Sequence, residues 1–308
     1  MTFLEYSKFS DLILIPFQKV VSLYNWIHSY GDPRVNHWLL MSSPFPTLLI
    51  VTIYLLTVWY GPHFMVTRKP FKLRGFMIIY NFSIAWLNGW ICYEVIMVNL
   101  NYNFICQLVD TSDDPYEKRI AGAIWWYYFS KCLEFTDTLL FIVRKKPAQL
   151  TFLHIYHHST MFAFWWVGAK FVPGGSALTG AMVNCFVHVI MYSYYGLTAC
   201  GPTIQKYLWW KKYLTILQLI QFTAGVVLGL HAIITNCQFT RWMQYFFVCY
   251  AFSFIILFSN FYNGAYVADS AVFKPLVSQP PAARSKMTPR TQQITTGKKT
   301  PTKLRKRI

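Results

Sequence analysis

Seven stretches of this sequence are apolar over nearly their whole length, and they constrain the fold more than any other feature. They run over about 45–61, 75–99, 120–143, 151–171, 176–199, 213–235 and 242–262. A helix of about 20 residues crosses the roughly 30 Å hydrocarbon core of a bilayer. Only 13% of the 308 residues are charged, which is too few to cover a soluble globular chain. We therefore predict an all-α membrane protein with seven transmembrane helices.

The basic residues are distributed unevenly among the connections between these spans. Of the 28 lysines and arginines, 20 fall on the side that carries the C-terminal tail, seven on the other side, counting Lys170 at the end of the fourth span, and one, Lys131, deeper within a span. The positive-inside rule then places the tail in the cytosol and the N-terminus in the lumen. The net charge of +17 lies in loops and tail, so it does not indicate nucleic-acid binding. We predict an N-terminal lumenal segment over 1–43, a membrane domain over 44–263 and a disordered basic tail over 264–308.

The fourth span contains a His-x-x-His-His sequence formed by His154, His157 and His158. At about 100° per residue, these imidazoles share an arc of roughly 100° on one helix face. The third span has a polar face of its own, about 120° wide. It consists of Lys131, Glu134, Asp137 and Thr138. Ionisable side chains within a membrane are costly unless they face a cavity or one another, so we predict a polar site between these spans.

Two further spans carry polar side chains in their cytosolic halves. They are Asn184, His188, Tyr192 and Tyr195 in the fifth span and Thr215, Gln218 and Gln221 in the sixth. The predicted topology brings all four polar faces to a similar depth below the cytosolic surface. We therefore expect one cavity that opens to the cytosol and accepts an amphiphilic substrate whose apolar part extends into the bundle.

Histidines at this spacing also suit a metal, because a His-x-x-His-His sequence occurs in membrane desaturases and hydroxylases that bind two irons. Such a site needs about eight histidines in several clusters. This chain has eight histidines in all and a single cluster. We predict no metal, since an imidazole is a competent nucleophile and base near neutral pH, and keep a diiron enzyme as an alternative.

Structural roles fit several of the same residues. Lys131 and Glu134 are suited to neutralise each other as a buried pair, and His188 to join neighbouring helices. A non-enzymatic lipid-binding protein with seven spans is therefore a second alternative, although a receptor's cavity would normally open away from the cytosol. Cys106 and Cys237 fall in two connections on the non-cytosolic side, where an oxidising lumen would allow them to pair.

The polar residues of four successive spans form four ordered motifs. These are Lys131-x-x-Glu134-x-x-Asp137-Thr138, His154-x-x-His157-His158, His188-x-x-Met191-Tyr192-x-Tyr194-Tyr195 and Thr215-x-x-Gln218-x-x-Gln221. In this combination, and over residues from about 30 to 265, the sequence resembles the family of elongases of very long chain fatty acids.

That resemblance implies the condensing step of fatty-acid elongation. A long- or very-long-chain acyl-CoA and malonyl-CoA would give 3-oxoacyl-CoA, carbon dioxide and CoA, without a cofactor. His157 would carry the acyl group as an acyl-imidazole, His188 would assist, and His154 and His158 would orient the ring. Spans 2–7 would surround a narrow acyl tunnel open to the cytosol, whose lumenal end limits the chain length.

We assign the other residues near the site to substrate binding. These are Lys131, Glu134, Asp137, Thr138, Asn184, Met191, Tyr192, Tyr195, Gln218, Gln221, Lys145 and Lys146. Of these, Lys131, Asn184 and Gln218 are candidate hydrogen-bond donors to an oxyanion or carboxylate. Lys145 and Lys146 border the cytosolic mouth and suit the phosphates of CoA, and they serve equally well as topology determinants.

The resemblance also implies a location and a set of partners. We expect a multi-pass protein of the endoplasmic reticulum membrane, and the tail ends in a dibasic sequence with Arg305 and Lys306 that is similar to a retrieval signal. The expected partners are the other enzymes of the elongation cycle, namely 3-oxoacyl-CoA reductase, 3-hydroxyacyl-CoA dehydratase and enoyl-CoA reductase. Homo- or hetero-oligomers with other elongases fit the same resemblance.

Overall fold

The computed structural model describes residues 16, 18–98, 103 and 105–267, which contain helices and no strand. The α-helices are α1 (18–29), α2 (Phe45–Met65), α3 (Arg74–Val98), α4 (Pro115–Leu133), α5 (Phe135–Val143), α6 (Phe152–Phe171), α7 (Ala177–Ala199), α8 (Pro202–Gln205), α9 (Lys211–Ile234) and α10 (Arg241–Tyr262). Of these, α8 is a single short turn. A π-helical turn, Asn263–Val267, follows α10. The predicted tail from residue 268 onward, with Arg305 and Lys306, lies outside the described residues, as does most of the first 17 residues.

Six of the predicted spans contact one another in a closed cycle. α3 packs against α4 and α7, α4 packs against α6, and α9 packs along α10. Contacts of α7 with α9 and of α10 with α6 complete the cycle. α2 packs against α5 and α6 and has no place in the cycle itself. The interior of this ring is where side chains from the third to the seventh predicted spans meet.

Five helices are long and apolar enough to cross a membrane, judged by length and composition. They are α2, α3, α7, α9 and α10, the last extended to Val267. α9 exposes large apolar side chains such as Ile220, Val227 and Ile234, which suits a surface facing lipid. The chain is therefore a multi-pass membrane protein. The two predicted spans outside this group, α4–α5 and α6, are those that carry the polar motifs.

The third predicted span is not a single helix, which corrects the sequence-based assignment. It divides at Glu134 into α4 and α5. The Asp137 N–H bonds to the carbonyl of Glu134, three residues back and 3.1 Å away, so the chain tightens locally. Hydropathy cannot show this break, because the apolar residues continue on both sides of it. The tightened turn lies within the Lys-x-x-Glu-x-x-Asp-Thr motif.

Two loops at one end of the bundle are joined covalently. Cys106, before α4, and Cys237, between α9 and α10, form a disulfide with a Cα–Cα distance of 5.7 Å. The other five cysteines are free.

Candidate active site

The start of α6 fixes the direction of the histidine cluster. Thr151 is the N-cap residue, and its hydroxyl accepts a hydrogen bond from the backbone N–H of His154 at 3.2 Å. The histidine sequence therefore occupies the first two turns of the helix. The ring centroids of His154 and His158 are 4.2 Å apart, and those of His157 and His158 are 5.1 Å apart. His158 is buried, whereas His154 and His157 are partly exposed.

A buried ion pair lies between α4 and α7. Lys131 Nζ donates to Glu134 Oε1 at 2.8 Å, and both side chains are 1% exposed. His188 Nδ1 lies 3.1 Å from the same oxygen. One carboxylate oxygen therefore binds a lysine from its own motif and a histidine from another motif. The second oxygen of Glu134, Oε2, is buried and has no hydrogen-bond partner among the described residues.

These contacts select the tautomer of His188. Nδ1 lies within hydrogen-bond distance of both Glu134 Oε1 and Lys131 Nζ, the latter at 3.3 Å. A carboxylate only accepts, so the favoured arrangement has Nδ1–H donating to Glu134. Lys131 also donates to Glu134 Oε1, which explains why Lys131 Nζ and His188 Nδ1 lie only 3.3 Å apart. The other ring nitrogen, Nε2, then carries a lone pair, as a base or nucleophile requires.

Asn184 joins the same network from α7. Its Oδ1 accepts from Tyr127 OH at 2.7 Å and from Lys131 Nζ at 3.4 Å. Because an ammonium group only donates, this contact supports the orientation that points Oδ1 toward Lys131. Nδ2 is therefore the free donor of Asn184, and Asn184 also lines the internal cavity described below.

The other end of the α4–α5 motif contacts different partners. Thr138 Oγ1 is 2.7 Å from His154 Nε2 and 3.1 Å from Tyr54 OH on α2. Asp137 Oδ2 accepts from Tyr192 OH at 2.6 Å. The four motif residues each have a polar partner, and their partners outside the motif come from α2, α6 and α7. Apart from Glu134 Oε2, this network is hydrogen-bonded, and such a network holds side chains rigidly in a low-dielectric interior.

His157 differs from these residues because its ring nitrogens have no hydrogen-bond partner within the described part of the chain. Its ring contacts His158 on its own helix, His188 at 6.2 Å between centroids, and Phe254 of α10 at 5.5 Å. The side chain is partly exposed. His158 also lacks a hydrogen-bond partner among the described residues but is buried, so His157 is the one of these two imidazoles that is partly exposed.

The remaining predicted site residues lie at varying distances from this network. Gln218 Nε2 lies 3.5 Å from Met191 Sδ, so α7 and α9 meet there, and Gln221 lines the cavity. Tyr195 packs against Tyr192 but is 40% exposed. Lys145 Nζ donates to the carbonyl of Val66 at 2.9 Å, which fastens α5 to the end of α2. Lys146 is exposed.

A mostly apolar cavity of about 170 Å³ extends from this network between α6, α7, α9 and α10. Tyr127, Asn184, Gln221 and Phe254 lie at the end nearest the histidines. The other end is lined by Ile105, Ser176, Phe239 and Gln244, next to the disulfide-linked loops. The cavity therefore joins the polar residues to the opposite end of the bundle.

Several residues of the site were not among the sequence-based candidates. Tyr54 bonds Thr138, Tyr127 bonds Asn184, and Phe254 packs on His157. Tyr127 precedes Lys131 by four residues and so shares its helix face, which is the one signal that could have identified it. Tyr54 and Phe254 carry no such signal, because the chain has 21 tyrosines and 26 phenylalanines.

The described residues contain no group of three or more His, Cys, Asp or Glu side chains placed to hold a metal ion. His154 Nε2 and His188 Nδ1 are both within hydrogen-bond distance of protein oxygens. The donor arrangement of a diiron desaturase or hydroxylase is thus not formed by this part of the chain.

Comparisons with known proteins agree in their result. The family described as "ELO: GNS1/SUR4 family" matches residues 39–273. Very long chain fatty acid elongase 4 of Homo sapiens is 54% identical over 248 residues, covering 80% of this chain and 79% of that protein. The Mus musculus elongase 4 is 53% identical over 252 residues, covering 81% of each. Very long chain fatty acid elongase 7 of Rattus norvegicus is 45% identical over 274 residues, covering 87% and 96%.

Proposed function

The chain belongs to the ELO (GNS1/SUR4) family, and we infer that it is a very-long-chain fatty acid elongase that works by acyl-imidazole chemistry. The reaction condenses a long- or very-long-chain acyl-CoA with malonyl-CoA and releases 3-oxoacyl-CoA, carbon dioxide and CoA. The observation that carries the mechanism is the uncommitted imidazole of His157, beside a second imidazole that Glu134 holds in one tautomer.

In the first half-reaction, a ring nitrogen of His157 attacks the thioester carbonyl of the acyl-CoA. The C–N bond forms, the C–S bond breaks, and CoA leaves as a thiolate that takes up a proton. The free Nδ2 of Asn184 is a candidate donor to the oxyanion of this step. The Lys131 ammonium is paired with Glu134, which is one of the two roles that the sequence suggests for it, so we assign the oxyanion donor to Asn184.

His188 acts as the base that removes the imidazole proton of His157. Its Nε2 carries the lone pair, and the Glu134 carboxylate stabilises the imidazolium that forms when His188 accepts the proton. This is the logic of a carboxylate that orients a catalytic histidine. Thr138 orients the ring of His154 through the contact between its hydroxyl and Nε2. The His154 ring in turn packs on His158 and so supports the cluster.

In the second half-reaction, malonyl-CoA loses carbon dioxide and its enolate carbon attacks the acyl-imidazole. The new C–C bond forms as the C–N bond to His157 breaks, and the departing ring nitrogen takes up a proton that His188 delivers from solvent, which returns the histidine to its starting state. The electrons of the broken carboxylate bond supply the nucleophile, so the sequence balances without an oxidant, a reductant or a metal.

The apolar cavity is suited to hold the acyl chain during both steps. It begins at Asn184 and Gln221 and continues among apolar side chains away from the histidines. We propose that α4–α5 and α6 are membrane spans as well, which gives seven, and that the helix cycle surrounds the acyl tunnel. Their polar residues face the interior and are paired there, which lowers the free-energy cost of placing them within a bilayer.

The orientation follows from the charges and the disulfide. The disulfide end faces an oxidising lumen and the basic connections face the cytosol, as in the endoplasmic reticulum membrane. CoA then binds on the cytosolic side, where Lys146 is exposed and Lys145 is held against α2. The reductases and dehydratase that process 3-oxoacyl-CoA are the expected partners, and homo- or hetero-oligomers with other elongases fit the same family.

The test is condensation by the purified full-length protein, with radiolabelled malonyl-CoA and a panel of acyl-CoAs, in the presence of a strong iron chelator. Wild-type protein makes 3-oxoacyl-CoA, and His157→Ala does not. Cys249→Ser, an exposed residue outside the cavity, is the matched control and retains activity. A folded wild-type protein without condensation product refutes the function, and loss of activity on chelation refutes the metal-free mechanism.

A further inference from the structure

Three connecting segments meet at the end of the cavity that is farthest from the histidines. They are residues 105–107 before α4, 173–176 before α7 and 237–239 before α10, which we call the distal cap. Ile105, Ser176 and Phe239 belong to it and line the cavity. The distal cap is thus the wall that an acyl chain would meet after passing the site.

The distal cap is held together by the Cys106–Cys237 disulfide and by hydrogen bonds between its segments. The Ser176 N–H donates to the Gln107 carbonyl at 3.0 Å, and the Gln107 N–H donates to Ser176 Oγ at 2.8 Å. Gly175 has a φ of +59°, and a Cβ there would lie 2.7 Å from the Gln107 carbonyl oxygen. Only glycine permits this close approach of the two segments.

Gln244 of α10 fastens the third segment. It is buried, and its Nε2 donates to the carbonyls of Cys237 at 3.0 Å and Phe239 at 2.6 Å. The same side chain lines the cavity. One residue therefore satisfies two loop carbonyls that would otherwise be unpaired in an apolar environment.

The apolar packing in this region is local. One buried cluster contains Val172, Ala232, Cys237, Phe239 and Met243, separate from the main core of the bundle. Segments joined by few contacts open with a lower free energy than a helix core does. A covalent bond between residues 131 positions apart counters that opening directly.

The family resemblance implies that the lumenal end of the tunnel limits the acyl chain length; we propose that the Cys106–Cys237 disulfide sets this limit in this chain by holding the distal cap closed. The inference rests on the proposed function, since it assigns the cavity to the acyl chain. It predicts that the length limit depends on the redox state of this bond. Breaking the bond lets the wall yield, so that chains one two-carbon step longer fit.

The experiment measures condensation rates of full-length protein with a series of saturated acyl-CoAs that differ by two carbons. The variants are Cys106→Ser/Cys237→Ser and Gln244→Met, with Cys249→Ser as the control. For the first chain beyond the wild-type limit, both variants raise the rate relative to a short chain by about tenfold. This ratio corresponds to the free energy gained when two more methylene groups of the acyl chain are buried in an apolar site that the closed cap would not admit.

Each outcome decides between the alternatives. A wild-type length profile in Gln244→Met and in the folded cysteine double variant overturns the proposal, while retained activity of the cysteine double variant on short chains leaves the elongase function intact. Should the double variant fail to fold, wild-type protein treated with a membrane-permeant reductant replaces it, and an unchanged profile with a reduced bond, verified by mass spectrometry, overturns the proposal equally. Absence of condensation by the untreated wild type refutes the proposed function instead.

Discussion

Glu134→Gln is the substitution that best separates structural support from catalytic positioning. The variant keeps the shape of the side chain but removes the charge that compensates Lys131, which is 1% exposed. Leaving one member of a buried pair unpaired costs about 3–5 kcal/mol of stability. Replacing both members with neutral residues of similar size is often nearly neutral. Lys131→Met/Glu134→Gln should therefore recover most of the stability that Glu134→Gln loses.

Activity should follow a different pattern from stability. His188 Nδ1 bonds Glu134 at 3.1 Å, and the carboxylate stabilises the imidazolium of the proposed mechanism. Loss of that charge affects both variants, so kcat falls by about 10²-fold or more in each, the usual contribution of general acid–base catalysis. Equilibrium unfolding in detergent, followed by tryptophan fluorescence, gives the stabilities, and malonyl-CoA incorporation gives kcat. A double variant that recovers kcat together with stability would refute the positioning role of Glu134.

Two further predictions follow from single contacts. Thr138→Val removes the hydroxyl that lies 2.7 Å from His154 Nε2 and 3.1 Å from the buried Tyr54 OH. The Tyr54 hydroxyl is left buried and unpaired, so stability falls by about 1–3 kcal/mol, and kcat decreases because His154 loses its contact. Equilibrium unfolding and the condensation assay measure the two effects, and unchanged values contradict the assigned hydrogen bonds. Gly175→Ala places a Cβ on a backbone with a φ of +59° and against the Gln107 carbonyl, so it destabilises the protein by more than about 1 kcal/mol. Equal unfolding free energies for the variant and the wild type would refute the close packing of residues 105–107 against 173–176.

The sequence predicts helix positions well because membrane spans can be identified by their length and hydropathy. The bounds of α2, α7 and α10 differ by only a few residues from the predicted ones. The break at Glu134 escapes prediction because it depends on local hydrogen bonding within an apolar run. Helix-face arguments gave the right neighbours for Lys131 and Glu134, since residues three apart adjoin on any helix.

Contacts between different helices were harder to predict. His188 was expected across from the histidine cluster, yet its carboxylate partner could not be chosen from two acids on the same face. Tyr54 and Phe254 come from helices without polar motifs, so no periodicity identifies them. Lys145 shows the converse, because a lysine near the predicted mouth bonds the carbonyl of Val66. Which partner a side chain finds depends on how the helices pack, and a single sequence does not record that.

The most direct test of the account is to find the acyl group on the enzyme. Purified full-length protein is mixed with an acyl-CoA in the absence of malonyl-CoA, quenched rapidly with acid, digested and analysed by mass spectrometry. Acyl-imidazole catalysis predicts one acyl group on His157, lost when malonyl-CoA is added before the quench and absent from His157→Ala. An active enzyme that carries the acyl group on His188 instead, or carries none at all while forming 3-oxoacyl-CoA at the normal rate, would contradict it.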